Sequence, residues 1–272
     1  MKNKPVIITL IICILIAAAG LAYRFAVSAQ QGPSGNREAM KELFEKKQKI
    51  VIDCLGDSIT WGMYSSPRLI ESIENGEVQP GLDDGGQLFE DYDIYISSAY
   101  QSAPSYPEML ERELNRRLEE DGLSNKVQTV NDGICGDWIT ETTYRRMSCD
   151  PDIVILLMGG NNFYFHYPIA GMFETNVEAL KAQGKILYLA NYPLFPGEKH
   201  VTAFRDANEH IEKIAKQYDL PVIDLYSFYQ KIQTEENIAW RDLFSPDHIH
   251  LSETGYERIG SYIAESLYAD LR

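Results

Sequence analysis

Five short apolar or β-branched runs constrain the fold of this chain more than any other feature. They are Ile50–Leu55, Val127–Asn131, Ile153–Met158, Ile186–Asn191 and Val222–Leu225. Helical periodicity fills the stretches between them: Tyr106–Glu120, Ile139–Met147, Phe173–Gln183 and Val201–Tyr218. A leading helix is expected over Arg37–Lys49, and a closing one after Ser252, running to Leu271. Strands that alternate with helices imply a parallel sheet. The runs are too apolar for a sheet with one wet face, so helices must cover both faces. The expectation is an α/β protein built on five parallel strands. No internal repeat is present.

Two segments depart from this rhythm. At the start, Lys2 and Lys4 precede an uncharged, largely aliphatic run from Pro5 to Tyr23, closed by Arg24. That is near the length of a bilayer-spanning helix, about 20 residues, and longer than a usual secretory core of about 7–15 residues. Val27-Ser28-Ala29 nevertheless resembles a small-residue cleavage site. Residues 1–30 therefore read as a membrane anchor or a signal peptide, with the anchor preferred. Either would place the rest of the chain outside the cytoplasm, since the lysines stay inside. Residues 31–49 read as a linker and leading helix, and 50–272 as the main domain. The second departure is Met63–Ser105, an insertion of about forty residues where a strand-to-helix loop usually has about 2–6. It is acidic and carries Tyr64, Phe89, Tyr92, Tyr95 and Tyr100, so part of it is able to pack.

The formal net charge is −15. So acidic a surface excludes nucleic acid as a partner, because its binding relies on basic side chains at phosphates. The same surface disfavours broad contact with anionic lipid. Of four cysteines, Cys13 falls in the apolar run, leaving Cys54, Cys135 and Cys149. They are expected as small buried hydrophobes, with one disulfide possible. No Cys/His grouping has the spacing of structural zinc.

In an open α/β sheet, ligands bind beyond the carboxyl ends of the strands. The first run ends in Gly56-Asp57-Ser58-Ile59-Thr60. Gly56 permits a tight turn, and Ser58 then falls where backbone N–H groups are unpaired. Ser58 is a nucleophile candidate, and an Asp/Ser helix cap explains the same residues equally well. The second run leads to Gly136, whose N–H could reach a reacting carbonyl; glycine in such a turn is more often conformational. The third leads to Gly159-Gly160-Asn161-Asn162. The Asn161 amide suits an oxyanion hole, and an Asn-capped turn is the alternative. The last motif is Ser245-Pro246-Asp247-His248-Ile249-His250-Leu251. There Asp247 can bond one ring nitrogen of His250 while the other faces Ser58. Metal ligation through His248, His250 and Asp247 would need further ligands, and none is at hand.

Taken together these residues resemble the SGNH (GDSL-like) hydrolase family. That family is marked by Gly-Asp-Ser, a later Gly, Gly-x-Asn-Asp and a C-terminal Asp-x-x-His. The likeness spans roughly Ile50 to the C-terminus without the insertion, and departs from the pattern in having Asn162 for the usual Asp. It implies a flavodoxin-like three-layer α/β/α sandwich with one five-stranded parallel sheet. It also implies Ser58 as nucleophile, Asp247 and His250 as its base pair, and Ser58, Gly136 and Asn161 as oxyanion donors. No cofactor is implied. The expected reaction is hydrolysis of a carboxylic ester through an acyl-enzyme. The expected substrate is a small-molecule or glycan ester with a short acyl group, selected by Met63–Ser105 acting as a lid or wall. An O-acyltransferase acting on envelope sugars and a non-catalytic carbohydrate-binding module on the same fold are the alternatives.

Overall fold

A computed structural model describes residues 34–64, 100–101, 104–196, 198–245 and 248–272. The segment 1–30, most of the insertion and Asp247 therefore lie outside the described residues. In chain order the elements are α1 (Ser34–Lys46), β1 (Lys49–Gly56), α2 (Ser58–Trp61), β2 (Met63–Tyr64) and β3 (Tyr100–Gln101). Then follow α3 (Tyr106–Glu120), β4 (Lys126–Gly133), a 3-10 turn (Thr143–Arg146), β5 (Ile153–Leu157), α4 (Gly160–Tyr164) and α5 (Met172–Ala182). The chain closes with β6 (Ile186–Ala190), α6 (Glu198–Tyr218), β7 (Val222–Ile223), α7 (Leu225–Glu235), α8 (Trp240–Leu243) and α9 (Glu253–Leu271).

The main sheet is parallel, in the order β4-β1-β5-β6-β7. This is the doubly wound arrangement in which the chain reverses direction across the sheet beside its first strand. One helical layer contains α1, α3 and α9, and the other contains α5 and α6. The five-stranded, three-layer architecture expected from the sequence is thus present. All five residues of β5, Ile-Val-Ile-Leu-Leu, are buried, each contributing about 1.5–3 kcal/mol relative to exposure. The remnants of the insertion, β2 and β3, pair antiparallel where it leaves and rejoins the domain.

The ends of the long helices follow local chemistry. Before α3, the Ser105 N–H donates to the Glu108 carboxylate at 2.8 Å. Before α9, the Ser252 hydroxyl accepts from Gly255 N–H at 3.0 Å. Each satisfies a backbone group that the first turn leaves unpaired. The helix expected over Ile139–Met147 is instead a single 3-10 turn. Side chains there take the backbone groups a helix would need. Thr143 Oγ1 accepts from Thr140 N–H, and the Asn176 amide bonds Tyr144 N–H and the Thr140 carbonyl. Such side-chain bonds compete directly with helix formation. Helix α7, which the periodicity did not reveal, is started by Asp224, whose carboxylate accepts from Ser227 N–H at 3.0 Å. Among the described residues, no helix is long and apolar enough to cross a membrane.

Candidate active site

Strand β1 delivers the chain to the carboxyl edge at Gly56. The tight turn expected at Gly56 is made without a positive φ, and the need for glycine there is one of space. A Cβ here would stand 1.8 Å from Thr60 Oγ1 and 2.9 Å from the Leu157 carbonyl. Gly56 lets α2 fold back tightly against the strand end. Asp57 then caps α2, its Oδ1 accepting from Ile59 N–H at 3.0 Å. Ser58 is the first residue of the helix, so its N–H belongs to the unpaired set. Cap and candidate nucleophile are therefore adjacent residues with separate tasks.

His250 approaches from the opposite end of the chain. Its Nε2 lies 2.8 Å from Ser58 Oγ, across 192 residues of sequence, and both side chains are buried. The segment that carries His250 is pinned on both sides. Ser245 N–H donates to the His250 carbonyl at 2.7 Å, Ser245 Oγ donates to the Leu251 carbonyl at 3.0 Å, and Phe244 bridges Leu251. His248 occupies the left-handed region at φ 61°. Asp247, the expected partner of His250, lies outside the described residues.

Two loops converge beside the end of β1. Ile134 N–H donates to the Gly56 carbonyl at 3.1 Å, which brings the loop after β4 alongside the end of β1. Gly136 follows at φ 72°, a conformation that favours a residue without Cβ. Asn161, second residue of α4, donates from Nδ2 to the Asp137 carbonyl at 2.6 Å. A side-chain amide has two hydrogens, so one is used to bind the Gly136 loop. Asn162, where the family pattern has Asp, is 1% exposed and bonds Ile139 and Pro168. Asp137 also pairs with Arg146.

One participant escaped the sequence reading. Tyr192, just past β6, donates from its hydroxyl to Asp57 Oδ2 at 2.6 Å and accepts from Gly160 N–H at 2.9 Å. It thereby ties together the loops after β1, β5 and β6. Its own backbone is held by the Asn208 amide on α6, at 2.7 and 2.9 Å. Burial pushes the Asp57 carboxyl up to about 6, opposed by the Tyr192 hydroxyl, the Ile59 N–H and the nearby His250. Asking what stands at the end of β6, as was asked of β1, β4 and β5, was the signal available for Tyr192.

Cys54 is buried as expected, while Cys135 and Cys149 are only half-buried, and all three are free thiols. Burial pushes the Cys135 thiol up to about 12, with the Asp57 carboxylate adding to it. Among the described residues, no group of His, Cys, Asp or Glu gathers as a metal-binding cluster.

A hydroxyl in contact with an imidazole, beside two loops that offer amide donors, is an arrangement suited to acyl chemistry. The GDSL-like Lipase/Acylhydrolase family model matches residues 54–258, and the chain belongs to that family of hydrolases. Solved structures share its fold. A protein assigned to the G-D-S-L family from Desulfitobacterium hafniense DCB-2 aligns at TM-score 0.52 and 18% identity, covering 80% of this chain and 99% of that one. A two-domain esterase active on acetylated mannans, crystallised with mannopentaose, aligns at TM-score 0.56 and 17% identity, covering 89% of this chain and 55% of that one. The aryl esterase of M. smegmatis aligns at TM-score 0.51 and 14% identity, covering 81% and 99%. No curated protein sequence matches the chain.

Proposed function

We propose that the protein is a serine esterase that removes short acyl groups, acetyl above all, from a neutral glycan or small molecule outside the cytoplasm. The observation that carries this reading is the 2.8 Å contact between Ser58 Oγ and His250 Nε2. In the proposed mechanism His250 takes the Ser58 proton as Oγ attacks the ester carbonyl. Asp247 orients the imidazole and balances its positive charge. Ser58 N–H, Gly136 N–H and the Asn161 amide receive the developing oxyanion. His250 then protonates the departing alcohol, leaving Ser58 acylated. Water, deprotonated by His250, attacks the acyl-enzyme and releases the acid, restoring Ser58. Every step uses side chains and backbone of this chain together with substrate and water.

The glycan part of the reading rests on the acidic, tyrosine-rich insertion, which would repel anionic substrates and offers rings with an apolar face and a polar tip. The location rests on the Pro5–Tyr23 run behind Lys2 and Lys4, which is proposed to hold the protein on the outer face of a membrane. Fractionation of expressing cells tests that: a soluble mature form beginning near Gln30 would replace the anchor with a cleaved leader. For the chemistry, the deciding experiment is a fluorophosphonate probe on the full-length protein. Labelling at Ser58 that is lost in Ser58→Ala, with parallel loss of acetyl-ester hydrolysis, is expected. Failure to label a folded protein that hydrolyses no ester would sink the reading.

A further inference from the structure

Exposed aromatic surface lies beside the candidate oxyanion donors. Trp138 is 40% exposed and Tyr167 41%, and the two rings touch, with centroids 4.7 Å apart and planes tilted by 48°. Trp138 is two residues beyond Gly136 in the loop after β4, and Tyr167 is six beyond Asn161 after β5. Strands β4 and β5 flank β1, so both loops leave the sheet at its carboxyl edge on either side of Ser58. The aromatic pair is thus built by the same two loops that carry Gly136 and Asn161.

A single buried side chain fastens the pair. Asn162 Oδ1 accepts from Ile139 N–H at 2.9 Å, and its Nδ2 donates to the carbonyls of Ile139 at 3.2 Å and Pro168 at 2.7 Å. Ile139 follows Trp138 and Pro168 follows Tyr167, so one amide holds the backbone next to both rings. An ionised carboxylate has no hydrogen to give those two carbonyls, which is why an amide suits position 162. On the other side of Tyr167, exposed His166 sits at φ 58°. That conformation disfavours a residue with a Cβ and persists where the surroundings impose it.

We propose that Trp138 and Tyr167 form a platform that seats a pyranose ring of a neutral oligosaccharide, next to the acyl group that Ser58 attacks. The inference rests on the esterase reading above and adds a binding subsite to it. A pyranose presents C–H faces and a rim of hydroxyls. Aromatic faces fit the first, and the Tyr167 hydroxyl and Trp138 indole N–H fit the second. The ligand is neutral because the platform is uncharged, its neighbour Asp137 being paired with Arg146, while the chain as a whole carries −15. A long acyl chain gains most from an enclosing apolar cleft, whereas this wall is open to water.

The test compares the parent enzyme with Trp138→Ala, Tyr167→Ala and Trp138→Phe. Substrates are para-nitrophenyl acetate and partially acetylated manno- and xylo-oligosaccharides of increasing length. The oligosaccharide KM is expected to rise about tenfold in each alanine variant and to recover in Trp138→Phe. Kinetics on para-nitrophenyl acetate should stay within about twofold, since that substrate has no pyranose ring for the platform to seat. Deacetylated oligosaccharides are also titrated into Ser58→Ala protein by isothermal titration calorimetry, and adding Trp138→Ala should weaken affinity by a similar factor. Equal losses on both substrates, or unchanged KM and affinity, would overturn the platform and leave the esterase reading standing. If the parent hydrolyses neither ester and Ser58 resists the fluorophosphonate, the esterase reading fails, and the titration alone still decides whether the rings bind sugar.

Discussion

Asp53 and Asp57 lie on one strand and its exit, four residues apart, and both are almost fully buried. Asp57, at the carboxyl edge, accepts hydrogen bonds from Ile59 N–H and the Tyr192 hydroxyl. Asp53, in the middle of the sheet, has neither carboxylate oxygen within bonding distance of a donor. Burial raises both, Asp57 to about 6 and Asp53 to about 8, the latter helped by the nearby Asp132 carboxylate. Burial sets the direction in both places, and the donors decide how far it goes. The edge of the sheet holds a carboxyl on the residue before Ser58, within electrostatic reach of His250. The interior holds a carboxyl whose neutral form burial favours, and whose charged neighbours are Asp132 and Arg146.

If the edge carries the chemistry, the largest effect belongs there. Ser58→Ala is expected to lower kcat on an acetyl ester by several orders of magnitude, on the scale of about 10⁶ seen when a triad nucleophile is removed. Circular dichroism and melting should match the parent, because the hydroxyl's contact is with His250 and the cap of α2 is Asp57. Near-normal turnover by purified, folded variant would remove Ser58 from the mechanism. Asn161→Ala comes next, with a loss of roughly 10²–10³ in kcat for one oxyanion donor. The same substitution cuts the bond to the Asp137 carbonyl, so a change confined to KM would reassign Asn161 to loop support.

Tyr192→Phe sharpens the comparison by making Asp57 more like Asp53. It removes the shortest donor to Asp57 and leaves Gly160 N–H without its acceptor. The donor favours the ionised carboxyl, so its loss moves the Asp57 pKa upward from about 6. An ionised Asp57 near His250 helps balance the positive charge that the imidazole gains in the proposed reaction, so turnover near pH 6 should fall roughly tenfold and turnover above pH 8 much less. Stability should fall by about 1–3 kcal/mol for the polar groups left unpaired. An equal loss of turnover at every pH would mean that Tyr192 acts only by holding the loops in place.

The same contrast explains what could be read from the sequence. Ser58, Gly136, Asn161 and His250 each follow the end of an apolar run or stand just before the final helix, so local order announces them once the sheet is recognised. The helix Tyr106–Glu120 was legible for the same reason, since its apolar positions and its Ser105 and Glu108 cap are contiguous. Tyr192 was not, because its meaning lies in Asp57, 135 residues away, and in Asn208 on a helix. The turn at Thr143–Arg146 was misread as helix because the two asparagines that unmake it, Asn162 and Asn176, come from later elements. Residue pattern reports periodicity well, but it is silent about a distant side chain that claims a backbone group.

Asp53→Asn is the variant expected to do least to catalysis, and it tests the interior half of the comparison. A carboxyl raised to about 8 in the folded state, against an ordinary 3.8, binds its proton more tightly folded than unfolded. Between about pH 4 and pH 8 the native state thus holds more protons than the unfolded one, and stability falls as pH rises through that window. An asparagine has nothing to ionise, and its amide can donate toward Asp132. The variant should therefore lose this part of the pH dependence, melting close to the parent at pH 4 and above it at pH 9. Taking the difference between the two proteins at each pH cancels the general repulsion of a chain with charge −15. Turnover at neutral pH should remain within about twofold, as for substitutions that leave the reacting groups untouched. A variant that is less stable than the parent at pH 9 would mean that the ionised Asp53 is held by the nearby Arg146 strongly enough to outweigh burial. A large fall in kcat would mean that the interior carboxyl reaches the candidate active site through Arg146 and Asp137 after all.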